Sequence, residues 1–245
     1  MGTLNAVLTG LLTTLVASLL ALLWRTSRHQ VTFWRARGLW RPFASGDLKI
    51  ITGDLTRIYP DLKGFEGGGL VGTGDVQAVA ELANFFEKIG FLGFDPAEDI
   101  VRGSRPPGEI YSSNLICIGG WDANEATEVM LAKINHGLDG DAYEIRDRVL
   151  DKSYSRDDSV DYGVLIKAVN PEEPSRQVMI IAGCSGYGTW AGAKLACSEQ
   201  FLRDRLVSKG HPVECLYSTD VINGVPHNPK ILVLREPPES HLRNS

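Results

Sequence analysis

The residue types best suited to chemistry lie in three glycine-rich segments, each of which follows an apolar run and precedes a helical pattern. Glycine lets a ligand approach main-chain N–H groups, and the N–H groups and dipole of a helix start attract an anion. The segments 67–75, 119–124 and 182–189 therefore predict a binding site for a phosphate-bearing small molecule. The candidate ligand-binding residues are Gly72, Gly74 and Asp75 in the first segment, Gly119, Gly120, Trp121, Asp122 and Asn124 in the second, and Gly183, Ser185, Gly186, Tyr187, Gly188 and Thr189 in the third.

The third segment, AGCSGYGT, matches no common phosphate or nucleophile motif. Thr189 and Trp190 stand where a Walker A loop needs Lys and Ser or Thr, and the glycine spacing reverses that of the dinucleotide fingerprint. Tyr187 occupies the last glycine position of a G-x-S-x-G nucleophile elbow. With Thr189 as the predicted N-cap, the segment still suits an anion. A tight turn in which the glycines serve packing alone is the alternative.

Side chains near these segments offer some further chemistry. Trp121, Tyr187 and Trp190 could stack on a base or sugar, although core packing is the alternative for each. Cys184 precedes a predicted helix and could act as a nucleophile. Four carboxylates stand at element ends, where they could transfer protons, hold a ribose hydroxyl, or simply cap a turn: Asp54, Asp75, Asp122 and Asp161. No catalytic set, metal-ligand spacing or cofactor follows from the sequence, so catalysis is left open.

The N-terminal segment has the composition of a membrane anchor. Residues 4–24 hold no charge over 21 positions, enough to span a hydrocarbon layer about 30 Å thick. The first 45 residues contain five arginines and no acidic residue, which predicts a single-pass signal-anchor in the cell membrane. The N-terminus would lie outside and the C-terminal domain in the cytoplasm. Trp24, Trp34 and Trp40 would suit the membrane interface, and the lipid bilayer would be a partner.

The predicted organisation is an anchor with a basic juxtamembrane segment, residues 1–45, and an α/β domain, residues 46–245. Residues 41–47 read as the linker between them. Small and hydroxylated residues at positions 9, 10, 13 and 14 leave helix pairing open, which would make a homo-oligomer.

After residue 45 the chain carries 20 basic and 30 acidic side chains, which argues against a nucleic-acid partner. Apolar strands alternate with amphipathic helices, and 161–170 and 177–183 read as a hairpin. This pattern predicts a three-layer Rossmann-like α/β sandwich, with a mostly parallel sheet and one antiparallel hairpin, preceded by the transmembrane helix.

The segments NLICIGGWDAN, DYGVLIK and IIAGCSGYGTWAGAKLA resemble Rossmann-like domains of prokaryotic signalling and defence proteins. Such domains sense or process nucleotide-derived ligands and are often tethered by a membrane helix. The resemblance covers roughly residues 110–200. It implies a ligand site lined by Gly119, Gly120, Gly186, Gly188 and Thr189.

Three functions stay open from the sequence. The first is a membrane-anchored cytosolic domain that binds a nucleotide-like or other phosphorylated ligand for sensing or signalling. The second is a hydrolase or transferase acting on a nucleotide or sugar nucleotide. The third is a non-catalytic interaction module whose glycine loops are purely structural.

Overall fold

The apolar runs of the sequence become the strands of one central sheet. The computed structural model describes residues 14–19, 34, 36–65, 70–91, 94–103 and 106–238. The seven strands of this sheet lie in the order β10-β9-β7-β8-β3-β1-β2. Their bounds are β1 Leu48–Thr52, β2 Ile100–Arg102, β3 Asn114–Ile118, β7 Val160–Val169, β8 Gln177–Gly183, β9 Val213–Ile222 and β10 Val225–Arg235. A second, three-stranded sheet comprises β4 Leu138–Gly140, β5 Glu144–Asp147 and β6 Lys152–Ser155.

Five of the seven strands in the central sheet run in one direction, because only β7 and β10 are reversed. The predicted hairpin is confirmed, since β7 and β8 pair antiparallel. A second hairpin joins β9 to β10, and β7 also pairs antiparallel with β9. The prediction of a single antiparallel hairpin is therefore wrong.

Helices cover both faces of the central sheet. One face carries α1, residues 36–44, together with α2, Thr73–Ile89, α5, Gly186–Ala196, and the one-turn helices α6, Glu199–Leu202, and α7, Arg205–Ser208. The opposite face carries α4, Glu125–Lys133, and the three-stranded sheet, which contributes Leu138 and Ile145 to the core there. The remaining described elements are the short helix α3, Pro96–Asp99, two 3-10 turns, Pro60–Phe65 and Gly108–Ser112, and the helical residues 14–19.

The structure does not support the predicted transmembrane helix. Of residues 4–24, the structure describes only 14–19, and the rest lie outside the described residues. Within the described ranges, no helix combines the length and apolar composition that a membrane crossing requires. This finding contradicts the fold class that includes a transmembrane helix, and with it the signal-anchor and the single-pass localisation in the cell membrane.

The segment expected beside the membrane packs against the α/β body instead. Trp40, predicted at a membrane interface, is 1% exposed. It packs edge-on against Phe86 and also contacts Phe43 and Phe85. Residues 41–44, expected in a linker, continue α1, and Phe43 is fully buried. These apolar side chains of α1 therefore belong to the core of the α/β body.

Helix α5 ends at Ala196 and is followed by the two separate one-turn helices α6 and α7. Ser198 caps α6 by accepting a hydrogen bond from the Phe201 N–H, and Asp204 caps α7 by accepting one from the Leu206 N–H. Side-chain oxygens at these positions satisfy new helix starts, which ends the preceding helix.

Candidate functional site

The chain leaves the sheet in opposite directions after β1 and after β3. The segment after β1 leads to α2 on one face, whereas the segment after β3 leads to α4 on the other. The two strands are parallel neighbours that end level, with Thr52 opposite Ile118. In open α/β sheets, ligands bind outside the carboxyl ends of the strands at such a topological switch point. We call this position the β1/β3 crevice, and Gly53 and Gly119 are the first residues beyond the two strands.

The carboxyl group of Asp75 lies at the β1/β3 crevice. Asp75 belongs to the first turn of α2, is 7% exposed, and accepts a hydrogen bond from the backbone N–H of Gly53. A Cβ atom on Gly53 would lie 2.7 Å from Asp75 Oδ2, and one on Gly119 would lie 3.0 Å from it. Gly119 also has a φ of +103°, which disfavours a side chain. Both glycines therefore make room for this carboxyl group.

The surroundings of Asp75 raise its pKa from 3.8 to about 7. Burial is the largest cause, the hydrogen bond from Gly53 opposes it, and the negative charge of Asp122 adds to the increase. At the same edge, Arg102 pairs with Asp54, with 3.3 Å between Nε and Oδ2. A carboxyl group with a pKa near 7 can donate or accept a proton at neutral pH, which is typical of functional sites.

Asn124 has a structural role at the same switch point. Its Nδ2 donates to the carbonyl oxygens of Ile51 and Ile118, at 2.8 and 2.9 Å, and so bridges β1 and β3. Its Oδ1 accepts from the N–H groups of Ala126 and Thr127, which caps α4. Because the amide is saturated by these bonds, we assign Asn124 to positioning the crevice. Asn124 is thus the N-cap of α4.

The start of α5 is occupied by the protein's own oxygens. Ser185 caps this helix by accepting from the Tyr187 N–H, and Asp161 Oδ2 accepts from the Gly188 N–H at 2.7 Å. Ser185 Oγ also donates to Asp161 Oδ2 at 2.5 Å. Thr189, predicted as the N-cap, lies inside the helix and accepts from the Gly183 N–H. A carboxylate of the chain therefore takes the place expected for an external anion.

The glycines of the third segment serve close packing. A Cβ on Gly188 would lie 2.5 Å from the carbonyl oxygen of Tyr162, and one on Gly183 would lie 2.4 Å from the Thr189 nitrogen. A Cβ on Gly74 would lie 2.1 Å from the Gly186 carbonyl oxygen, so the starts of α2 and α5 meet backbone to backbone. The structure thus brings the first and third segments together through their glycines.

The start of α2 is different, because its N-cap residue, Gly72, has no side chain that could cap the helix. Gly72 has an extended conformation. Among the described residues, no atom lies within 4 Å of the position that a Cβ on Gly72 would take. The preceding residues 66–69, which belong to the first glycine segment, lie outside the described residues.

The remaining predicted residues are spread around the crevice. Gly120 and Asp122 follow β3, where Asp122 Oδ1 accepts from the Ala123 N–H at 2.9 Å. Trp121 is half-buried beside α4, whereas Tyr187 is 41% exposed on α5.

Cys184 has the wrong environment for a nucleophile. The thiol is 4% exposed, and burial is the main cause that raises its pKa to about 12, with Asp161 adding to the increase. A thiol held in this way is protonated at neutral pH, and the thiolate is the reactive form.

Gly53, whose N–H anchors Asp75, was not among the predicted site residues. The signal was present, because Gly53 follows the strand pattern 48–52, as Gly119 and Gly183 follow apolar runs.

A scan against protein-family models finds no match, and no curated protein sequence matches the chain.

Proposed function

We propose that this chain binds a nucleotide-like small ligand, carrying a phosphate group, in the β1/β3 crevice. The observation that carries the proposal is the buried Asp75 carboxyl group at the topological switch point, with a pKa near neutrality. A sensing or signalling role for this binding stays a prediction.

The start of α2 is the better of the two glycine-rich helix starts for the phosphate. Its N-cap Gly72 provides no side-chain cap, and among the described residues the space around Gly72 is open. At the start of α5, in contrast, Asp161 and Ser185 already accept hydrogen bonds from the first-turn N–H groups. Backbone N–H groups and the dipole of a 17-residue helix favour an anion.

Asp75 makes this binding depend on pH. A protonated carboxyl group can donate a hydrogen bond to a phosphate oxygen, whereas a carboxylate repels it. Since the pKa of Asp75 is about 7, affinity for a phosphate-bearing ligand should fall as the pH rises through neutrality.

The test is equilibrium dialysis of the full chain with phosphodiester probes, whose own charge does not change near pH 7. Suitable probes are adenosine and guanosine 3′,5′-cyclic monophosphates and a uridine diphosphate sugar, each measured at pH 5.5 and pH 8.5. At least one probe should bind, about tenfold more weakly at the higher pH. Asp75→Asn should remove this pH dependence, and the matched control Asp158→Asn, at an exposed carboxylate, should retain it. Binding of no probe, or an unchanged pH profile in Asp75→Asn, would contradict the proposal.

The pKa of Asp75 also favours a second candidate, an enzyme that acts on a nucleotide or sugar nucleotide. A group that titrates near pH 7 is suited to general acid or base catalysis. Chromatography of each probe after incubation with the protein would show turnover. If the chain is a hydrolase or transferase of this kind, Asp75→Asn should bind the probe and leave it unconverted.

A further inference from the structure

A second concave site lies on the face of the sheet that carries α4. A pocket of about 250 Å³ opens between the turn after β3, one side of α4 and residues 136–140. Its apolar lining is Trp121, Leu131, Ala132 and Leu138, and its polar side chains are Glu128, His136 and Asp139. We call it the Trp121 pocket.

Trp121 gives the pocket an aromatic wall. The ring packs against Gly140, where a Cβ atom would lie 3.0 Å from Trp121 Cη2 and 2.7 Å from the Glu144 carbonyl oxygen. The missing side chain at Gly140 therefore leaves room for the indole. An indole beside aliphatic side chains favours a flat ligand, because offset stacking adds to the burial of apolar surface.

The polar side chains of the Trp121 pocket offer hydrogen-bond acceptors. Asp139 Oδ2 lies 3.0 Å from Arg148 Nε, and Glu128 Oε2 lies 2.8 Å from an Arg57 nitrogen, so each carboxylate is held in place. His136 Nδ1 lies 2.8 Å from the Leu138 carbonyl oxygen. A carbonyl only accepts, so the proton must sit on Nδ1, and Nε2 of the neutral ring is an acceptor.

We propose that the Trp121 pocket binds a purine-type ring that presents N–H donors. A flat bicyclic ring suits the aromatic wall, and its N–H groups match the acceptors of Glu128, His136 and Asp139. The volume is below the range of pockets for drug-sized molecules, which fits a single ring system. The inference rests on the proposed function, since it names the base of the nucleotide-like ligand, and Trp121 directly adjoins Gly120 and Asp122 in the chain.

Free bases test the pocket separately from the crevice, because they lack both sugar and phosphate. The probes are 9-methylguanine and 9-methyladenine, with 9-methylpurine, which has no N–H donor, as the matched ligand control. Binding to the full chain is followed by equilibrium dialysis. The two amino-substituted purines should bind at least about tenfold more tightly than 9-methylpurine, because only they can donate hydrogen bonds to the acceptors of the pocket.

Two variants locate the binding. Ala132 is exposed on α4 and lines the pocket, so Ala132→Leu fills the pocket with a good helix former. Trp121→Leu removes the aromatic wall, and Trp34→Leu is its matched control at a tryptophan that is 66% exposed. We expect Ala132→Leu and Trp121→Leu to weaken 9-methylguanine binding by about tenfold or more, and Trp34→Leu to leave it unchanged. Circular dichroism confirms that each variant is folded.

The outcomes separate this inference from the proposed function. If the wild type binds neither amino-substituted purine, or if Ala132→Leu binds both as well as the wild type does, the pocket assignment is overturned. The crevice proposal then still stands on the pH dependence of phosphodiester binding and its loss in Asp75→Asn. If the bases bind as expected but no phosphodiester probe does, the proposed function fails while the purine pocket stands.

Discussion

Replacing Asp75 by Asn should stabilise the folded protein at neutral and alkaline pH. In the folded state the pKa of Asp75 is about 7, compared with an ordinary value of 3.8. Between these values the folded state binds more protons than the unfolded state does. The free energy of unfolding therefore falls as the pH rises from about 4 to about 7, and the loss is complete above that window.

The size of the effect follows from the pKa difference. A difference of about three pKa units corresponds to ~4 kcal/mol in the free energy of unfolding. Asn cannot ionise, and its carbonyl oxygen can still accept the hydrogen bond from the Gly53 N–H. Asp75→Asn should thus match the wild type within ~1 kcal/mol at pH 4 and exceed its stability by up to ~4 kcal/mol at pH 8.

Urea denaturation followed by tryptophan fluorescence, repeated from pH 4 to pH 8.5, measures this difference. The control Asp158→Asn removes an exposed carboxylate and should follow the wild type at every pH. A constant gap between Asp75→Asn and the wild type across this range would refute the reasoning, as would a variant that is less stable at pH 8. Either result would mean that the Asp75 carboxyl group is not held in an environment that disfavours its charge.

Three further predictions concern the body of the protein. Trp40→Ala should lower the free energy of unfolding by ~3–5 kcal/mol, because the indole is buried among three phenylalanines. The exposed control Trp34→Ala should change it little. Equal effects of the two variants in urea denaturation would contradict the packing of α1. Gly188→Ala should lower the free energy of unfolding by ~3 kcal/mol or more, because the added Cβ contacts the Tyr162 carbonyl oxygen. Gly108→Ala, in open space, should be nearly neutral. A thermal melt of Gly188→Ala like that of the wild type would disprove the packing role. Arg235→Met should lower the free energy of unfolding by ~3–5 kcal/mol, because it leaves the buried carboxylates of Asp147 and Glu214 without their arginine. Most of this stability should return when Asp147 and Glu214 are also replaced by Asn and Gln. If chemical denaturation shows no recovery, the charge argument is refuted.

The strands of the central sheet were largely predictable because their side chains are buried on both faces. The segments 114–120 and 177–183 read as continuous apolar runs, and both became strands paired in the parallel half of the sheet. The short strand β2 and the three-stranded sheet were not predicted. Their half-exposed residues carry no comparable apolar signal, and their formation depends on pairing with distant segments.

The membrane prediction shows where composition misleads. Arginines interspersed with tryptophans are typical of a membrane interface, but the same spacing also makes one apolar side of a helix. In the structure Leu39, Trp40 and Phe43 use that side to pack against α2 and its neighbours. The apolar side of such a helix can face either the membrane or the protein core. The rest of the fold decides between the two, and the sequence of the segment alone does not.

The positions of several candidate residues followed from the sequence, whereas their hydrogen-bond partners did not, and ligand binding by these residues stays a prediction. Gly119 directly follows β3 and Asp75 lies in the first turn of α2, as their places in the sequence pattern suggested. Asn124 and Ser185 turned out to be caps. Within a few residues, several side chains could cap each helix, and the choice depends on which one reaches the ends of neighbouring strands. The carboxylate of Asp161, from β7, reaches the start of α5 only through the tertiary fold.

Hydrogen–deuterium exchange of the full chain, with and without the phosphodiester probe that binds best, tests the central claim most directly. Binding in the β1/β3 crevice should slow exchange in peptides that cover residues 53–57, 72–76 and 119–122. Peptides covering the start of α5, whose N–H groups are already bonded to Ser185 and Asp161, should change little. Protection confined to residues 183–189, or protection of the wild type that is equally strong at pH 5.5 and pH 8.5, would contradict the account.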